Sequence, residues 1–288
     1  VNQGKNGIVY VATGQTYYDE AMASIRSAKT AMPDVPVTLF TDVEADSNLI
    51  DNIVHVANPN YSTQDKITGM AQSPYAKSIF IDTDTYICQS IADLYELLDH
   101  FDIAAVLPSF RATQAIPPLP PCFPGFNTGV VAYRKTPDTD NFFPKWLTTH
   151  EYQLKHLKPT FSRWRPFHDQ YSFREAVYDS NLRIATLGPE YNCMHLVPGF
   201  VHGQVRVIHG RDRKFLWRNL TPRKAAAVLN KKSTARVLIA AYGGLRVLGI
   251  PRLEGLFRFV SRRKQKHGLV GTYRLVLARI RDLIRERT

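Results

Sequence analysis

The chain has 288 residues, 44% hydrophobic and 22% charged, which is the profile of a globular protein with room for one large domain or a domain plus an appendage. Three widely spaced cysteines, Cys88, Cys122 and Cys193, argue against a disulfide framework or a zinc knuckle, and no apolar stretch reaches the ~20 residues of a bilayer span. The net charge of +12 divides unevenly: residues 1–210 carry 16 Lys+Arg against 21 Asp+Glu, a net of −5, while residues 211–288 carry 21 against 4, a net of +17.

In chain order, Gly7 to Thr13 reads as a buried strand, followed by a helix from Thr16, as N-cap, to Met32, with Pro33 just past its end. Val35 to Phe40 is a second strand ending at Thr41-Asp42, and Ile53 to Val56 a short third. Thr63 to Ser73 is helical, with Pro74 as its stop. Ser78-Ile79-Phe80-Ile81 is a fourth strand that runs into Asp82-Thr83-Asp84-Thr85. Ser90 caps a helix through Leu98, and Ile103 to Val106 is a further strand. Strands alternating with helices predict an α/β fold: a parallel or mixed sheet covered on both faces. A loop with six prolines fills residues 108–125, and Gly125 to Tyr133 resumes as a strand. Residues 138–157 contain a helix with Phe142, Phe143, Trp146 and Leu147 as core, and another helix starts at His168-Asp169-Gln170. Val205 to Ile208 is the last strand before His209.

If the fourth strand continues through Asp84, its period of two turns the carboxylates of Asp82 and Asp84 to one side, where they repel unless a cation lies between them. Oxygen ligands of this kind suit a divalent ion. In open α/β sheets ligands lie beyond the carboxyl ends of the strands, and Thr13, Asp42, Asp82 and Asp84 all fall at such ends. Asn127 reads either as a turn residue or as an amide aimed at substrate hydroxyls. Asp169 and Gln170 suit a helix N-terminus, whatever lies opposite them.

The pieces Val9–Thr13, Lys66, Tyr75 to Thr85, Phe126-Asn127-Thr128-Gly129-Val130, Asp169-Gln170 and His209-Gly210 with Lys214 occur in the order of a known family. Over roughly residues 7 to 217 the chain resembles the GT-A glycosyltransferases, in particular the retaining branch (family 8) that includes glycogenin and the bacterial lipooligosaccharide galactosyltransferases. One motif departs from that pattern. Where the family reads His-x-x-Gly-x-x-Lys-Pro-Trp, here Gly210 directly follows His209, and Phe215-Leu216-Trp217 replaces Pro-Trp.

The resemblance implies a mixed-sheet GT-A catalytic domain over residues 1–217 and a metal-dependent sugar transfer, with retention. Asp82, Asp84 and His209 would hold the metal, a set that suits Mn²⁺ better than Mg²⁺. The donor would be a nucleotide diphosphate sugar, UDP-linked. Thr13, Tyr18 and Asp42 would face its nucleoside, Lys66 and Lys214 its phosphates, and Thr83 lies between the two metal carboxylates. Asn127, Asp169 and Gln170 would line the sugar pocket, with Asp169 and Gln170 as the catalytic pair. The acceptor would be a glycan, a lipid-linked saccharide or a protein. Two other readings stand beside this one: a nucleotidyltransferase that makes nucleotide sugars, and a non-catalytic membrane-associated binding module.

Residues 218–288 read as a basic, mainly helical extension, with helices opening at Thr221-Pro222 and over 234–248 and 271–286. Basic amphipathic helices can lie on an anionic membrane surface, so the expected partner of residues 221–288 is such a surface, weighed against simple packing on the catalytic domain. No nucleic-acid motif accompanies the charge. The expected location is cytoplasmic, peripheral to the membrane, with a Golgi-type lumen as the alternative.

Overall fold

The protein was analysed as a computed structural model that describes residues 6–45, 47–108, 119–157, 168–195, 197–210, 221–231, 234–241 and 244–249. The chain begins with β1 (Asn6–Ala12), α1 (Gln15–Ala31), β2 (Val37–Thr41), β3 (Asn52–His55), α2 (Thr63–Ala71), β4 (Lys77–Ile81), β5 (Thr85–Ile87) and α3 (Asp93–Leu97). It continues through β6 (Ile103–Val106), β7 (Asn127–Arg134), α4 (Pro137–His156), α5 (Asp169–Tyr178), β8 (Ile184–Leu187), β9 (Cys193–Met194) and β10 (Gly199–Val201). The last described elements are β11 (Val207–His209), α6 (Pro222–Leu229), β12 (Arg236–Ala241) and β13 (Gly244–Gly249).

Among the described residues seven strands form the main sheet, in the order β3-β2-β1-β4-β7-β6-β8. All run parallel except β7, which is antiparallel to both of its neighbours. Alternation along β1 separates the two faces: Ile8 and Tyr10 enter the core under α1 and α3, while Val9 enters the core under α2, α4 and α5. Burial on both faces explains why the central strands read as near-continuous apolar runs. In the second core, Trp146 packs edge-on against Phe173 with ring centroids 4.9 Å apart, and Phe142 and Phe143 pack beside it. Leu147 only borders this cluster, half-buried.

The described residues also form two three-stranded sheets. In the first, β11 pairs antiparallel with β5 and parallel with β9. In the second, β12 pairs antiparallel with β10 and with β13. Ala225, Ala226 and Leu229 of α6 and Leu238 of β12 share a third core with Cys193, Val201, Val205 and Ile208. Part of the basic extension is thus packed into the same core as β9 and β11. None of the described helices is long and apolar enough to cross a membrane.

Several sequence expectations need correction. The 234–248 segment is a β-hairpin, not a helix: Ala241 pairs with Gly244, and the glycines at 243, 244 and 249 disfavour a helix. The 271–286 helix lies outside the described residues. Helix α1 begins at Gln15, so Thr16 is inside its first turn and Gly14, at φ 85°, is the cap. Ser90 does not cap α3; its hydroxyl accepts from the amide of Ala92, which is itself the cap residue just before Asp93. The edge strand β8 was not foreseen, because four residues without a clear alternation carry little signal.

The far edge is held by Asp102, at the start of β6. Its carboxylate accepts from Arg134 Nε and Nη2 at 3.0 and 2.7 Å and from the Arg183 amide at 2.9 Å. Burial opposes ionisation, but the Arg183 and Arg134 hydrogen bonds outweigh it and hold the carboxyl at about 2. A depressed carboxyl stabilises the fold above its unfolded value near ~3.9, and that contribution fades as pH falls toward about 2. Asp102→Asn should therefore cost about 1–3 kcal/mol in urea unfolding at neutral pH, with the gap to the parent closing as the pH is lowered through this window. A gap that stays constant with pH would show that the carboxylate charge is not what holds this edge.

Candidate functional site

Strand β4 ends at Ile81, and Asp82-Thr83-Asp84 forms a turn into β5. The two carboxylates therefore converge through a turn and not through the alternation of an extended strand. The turn is pinned from several directions. Asp82 N–H donates to Gly129 O at 2.8 Å, and Thr85 Oγ1 donates to Asp82 O at 2.9 Å. Because Thr85 uses its proton there, it accepts from Ser24 Oγ at 2.6 Å, and Ser24 in turn accepts from Tyr10 Oη at 2.9 Å. Thr83 Oγ1 donates outward, to Glu20 Oε2 at 3.1 Å.

The pairing of β11 with β5 sets Thr85 opposite His209, and Gly210 N–H donates to Asp84 O at 3.0 Å. His209 Nε2 consequently lies 3.3 Å from Asp84 Oδ1 and 3.6 Å from Asp82 Oδ2. One oxygen from each carboxylate and one imidazole nitrogen all fall within 4.8 Å of one another, the spacing of a shared metal ion. Gly129 makes the approach of the ring feasible, since a Cβ there would stand 2.2 Å from His209 Cε1.

Lys66 projects from α2 into the same cluster. Its ammonium lies 3.0 Å from Asp82 Oδ1 and 3.0 Å from Asp169 Oδ2, 3.2 Å from Thr128 Oγ1, and over the Phe80 ring. Asp169, the first residue of α5, also accepts from Thr128 Oγ1 at 2.7 Å. Its turn is fixed to the aromatic core by Trp146 Nε1, which donates to Ser172 Oγ at 3.1 Å and to Asp169 O at 3.3 Å. His150 joins Ser172 to Thr63, so the helices bearing Lys66 and Asp169 are tied through α4. Gln170 follows Asp169, half-buried in the same turn.

Each charge shifts its neighbours. For Lys66, burial favours the neutral amine, but Asp169 and Asp82 outweigh it and raise its pKa. Asp169 is held below the usual carboxylate range, its burial overcome by Lys66 and Thr128. Burial pushes Asp82 upward, with Lys66 and His209 opposing. Burial of His209 is outweighed by Asp84 and Asp82, so its pKa is raised. Among the described residues three carboxylates face one ammonium here, and with a neutral imidazole two negative charges remain, which a divalent ion would balance.

Of the remaining candidates, Thr13 and Asp42 directly follow β1 and β2. Asp42 accepts from Gly14 N–H at 2.7 Å and Tyr61 Oη at 3.0 Å. Burial works against its charge, but these bonds prevail and its pKa is lowered. Thr13 gives its hydroxyl proton to Asp65 at 2.8 Å, and Tyr18 packs half-buried against the first core. The Asn127 amide is engaged within the protein: Oδ1 accepts from Gly129 N–H and Asn192 Nδ2, and Nδ2 meets Met194 Sδ. Lys214 lies outside the described residues. Reading the sequence passed over the roles of Thr128, Gly129 and Asn192. The first two sit inside the Asn-Thr-Gly motif, whereas nothing local to Asn192 signals its contact with His209 at 2.8 Å.

No protein-family model matches the chain, and no curated protein matches it significantly. Solved structures do resemble it. The glycosyltransferase GlyE of Streptococcus pneumoniae TIGR4 superposes with a TM-score of 0.55 at 14% identity, covering 75% of this chain and 58% of GlyE. The bifunctional glycosyltransferase WbbM gives 0.52 at 17% identity, over 80% of this chain and 50% of that one. The galactosyltransferase LgtC, solved with donor and acceptor sugar analogs, gives 0.50 at 13% identity, over 78% and 96%. The chain thus spans little more than half of GlyE and half of WbbM. What the four clustered charges decorate is the GT-A glycosyltransferase fold.

Proposed function

We propose that the protein is a metal-dependent glycosyltransferase that takes a sugar from a nucleotide diphosphate donor, UDP-linked, and transfers it to a saccharide, lipid-linked saccharide or protein acceptor. The observation that carries the reading is the convergence of Asp82, Asp84 and His209 beside the Lys66–Asp169 ion pair, at the carboxyl edge of the parallel strands. The donor set fits a divalent ion: two carboxylates and an imidazole favour Mn²⁺ over Mg²⁺, which prefers oxygen alone. Held by Asp82, Asp84 and His209, such an ion would supply positive charge to the departing diphosphate. Lys66 is held where its ammonium can share the phosphate charge. Asp169, kept ionised by Lys66 and Thr128, stabilises positive charge developing on the sugar, and the Gln170 amide serves as a neighbouring dipole. The family resemblance favours retention, in which the departing phosphate takes the acceptor proton.

The nucleotidyltransferase alternative requires a glycine-rich phosphate loop after the first strand. Here residues 13 and 14 alone join β1 to α1, and Asp42 occupies the Gly14 amide. The exposed face of α6 carries Arg223, Lys224, Ala227 and Val228, with Lys231 just beyond, a mixed basic and apolar surface that suits peripheral docking on an anionic membrane.

UDP with Mn²⁺ should raise the melting temperature, and a UDP-sugar screen should reveal slow donor hydrolysis. Asp84→Asn should lower that turnover by more than ~100-fold, beyond the usual effect of losing an outer partner of a metal ligand. Absence of both stabilisation and turnover across the screen would refute the transferase reading. Gly129→Ala should weaken Mn²⁺ binding by displacing the His209 ring while Asp82 and Asp84 stay in place. Parent-like Mn²⁺ affinity in that variant would show that the ring need not lie over residue 129. Reversing Arg223, Lys224 and Lys231 to Glu should reduce salt-sensitive sedimentation with anionic liposomes, at about 1 kcal/mol for each basic charge lost. Unchanged sedimentation would remove the membrane from the proposal.

A further inference from the structure

The hydrogen bonds behind His209 form a chain whose direction can be read from one end. The Gly129 backbone N–H can only donate, and it meets the Asn127 side chain at 2.9 Å, so the Asn127 atom there is its oxygen. Asn192 reaches that same oxygen at 2.6 Å and must offer its amide nitrogen. Its own oxygen is then the atom 2.8 Å from His209 Nδ1. An amide oxygen accepts only, so Nδ1 carries the proton, and in the neutral ring the lone pair sits on Nε2. Nε2 is the atom that faces Asp84 and Asp82.

We infer that Asn192 is a positioning residue that fixes the tautomer and orientation of His209, so that the ring presents the Nε2 lone pair to a divalent cation held by Asp82 and Asp84. The inference rests on the metal reading of that cluster. Without this acceptor, the two neutral tautomers would exchange freely, and the one with a proton on Nε2 cannot ligate. Every member of the chain is buried, with Asn127, Asn192 and His209 2%, 3% and 8% exposed, so water does not readily stand in for a lost partner. Strand pairing explains the placement. Asn192 immediately precedes β9, which runs parallel to β11 with Cys193 beside Ile208 and Met194 beside His209. The residue ahead of β9 is thereby brought behind the imidazole, which donates to it along the side away from the carboxylates.

Three measurements separate this role from simple packing. In the parent, ¹⁵N NMR of histidine-labelled protein, at a pH high enough to keep the ring neutral, should show His209 protonated on Nδ1. A proton on Nε2, or an even mixture, would overturn the inference without any variant being made. Asn192→Leu, which offers no acceptor, should bind Mn²⁺ ten- to a hundredfold more weakly, as measured by electron paramagnetic resonance. Asn192→Asp restores an acceptor for Nδ1–H but loses the donor to Asn127. It should therefore lose stability as the Leu variant does, yet keep Mn²⁺ affinity near or above that of the parent. A purely structural role would make affinity follow stability in both variants, and equal weakening by Leu and Asp would overturn the proposal. If the parent binds Mn²⁺ with these properties but turns over no nucleotide sugar, the transferase reading fails while the role of Asn192 stands.

Discussion

The site depends on a surplus of negative charge that the fold keeps at one sheet edge. Asp82, Asp84 and Asp169 have side chains 27%, 17% and 6% exposed, and each loses hydration by being there. Lys66 answers part of that cost by bridging Asp82 and Asp169, but among the described residues it is one ammonium against three carboxylates. Burial then pulls the members apart: Asp169, with Lys66 and Thr128 both on it, is held ionised, while Asp82 is pushed upward. This asymmetry separates the roles. In the proposed transferase the satisfied carboxylate would be the fixed anion facing the sugar, and the less satisfied one is the group with most to gain from a cation.

Geometry follows from the short β5–β11 pairing. The Asp82–Asp84 turn feeds directly into β5, so whatever pairs with Thr85 must arrive beside the turn. Register puts His209 there, and the Gly210 amide on the Asp84 carbonyl fixes it. The family pattern has two residues between His and Gly, and here there are none. The altered spacing leaves the histidine in place because backbone pairing, and not the residues after it, sets its position. Gly129 completes the fit by leaving the ring the volume that a methyl group would fill.

Much of this was legible in the sequence because the relevant signals are local. An apolar run closed by Asp82 and Asp84, an Asn-Thr-Gly strand start, and an acidic first helical turn at Asp169 each announce themselves within a few residues. The mostly parallel sheet followed from alternation of strands and helices. What escaped was set by distant pairing. A strand extended through Asp84 and a turn after Ile81 have similar local composition, and only the Gly129 and Thr85 hydrogen bonds decide for the turn. Asn192 matters because β9 runs beside β11. The 234–248 segment is apolar enough for a helix, but β10 offers an edge on which a hairpin can pair.

The same segment changes the meaning of the charge step near residue 211. Composition divides the chain there into an acidic and a basic part, yet Ala225, Ala226, Leu229 and Leu238 lie in one core with Cys193, Val205 and Ile208. Ile208 is the residue before His209, and Cys193 is the residue after Asn192. The inner face of α6 therefore steadies the two strands that bring His209 and Asn192 together, while its outer face displays Arg223 and Lys224. Charge and packing need not share a boundary, because charge is a property of the outer face and packing of the inner one. A surface held by the outer face of α6 would bear on a helix whose other side supports the strand that carries His209. Attachment and catalysis would then be neighbours through one shared apolar core.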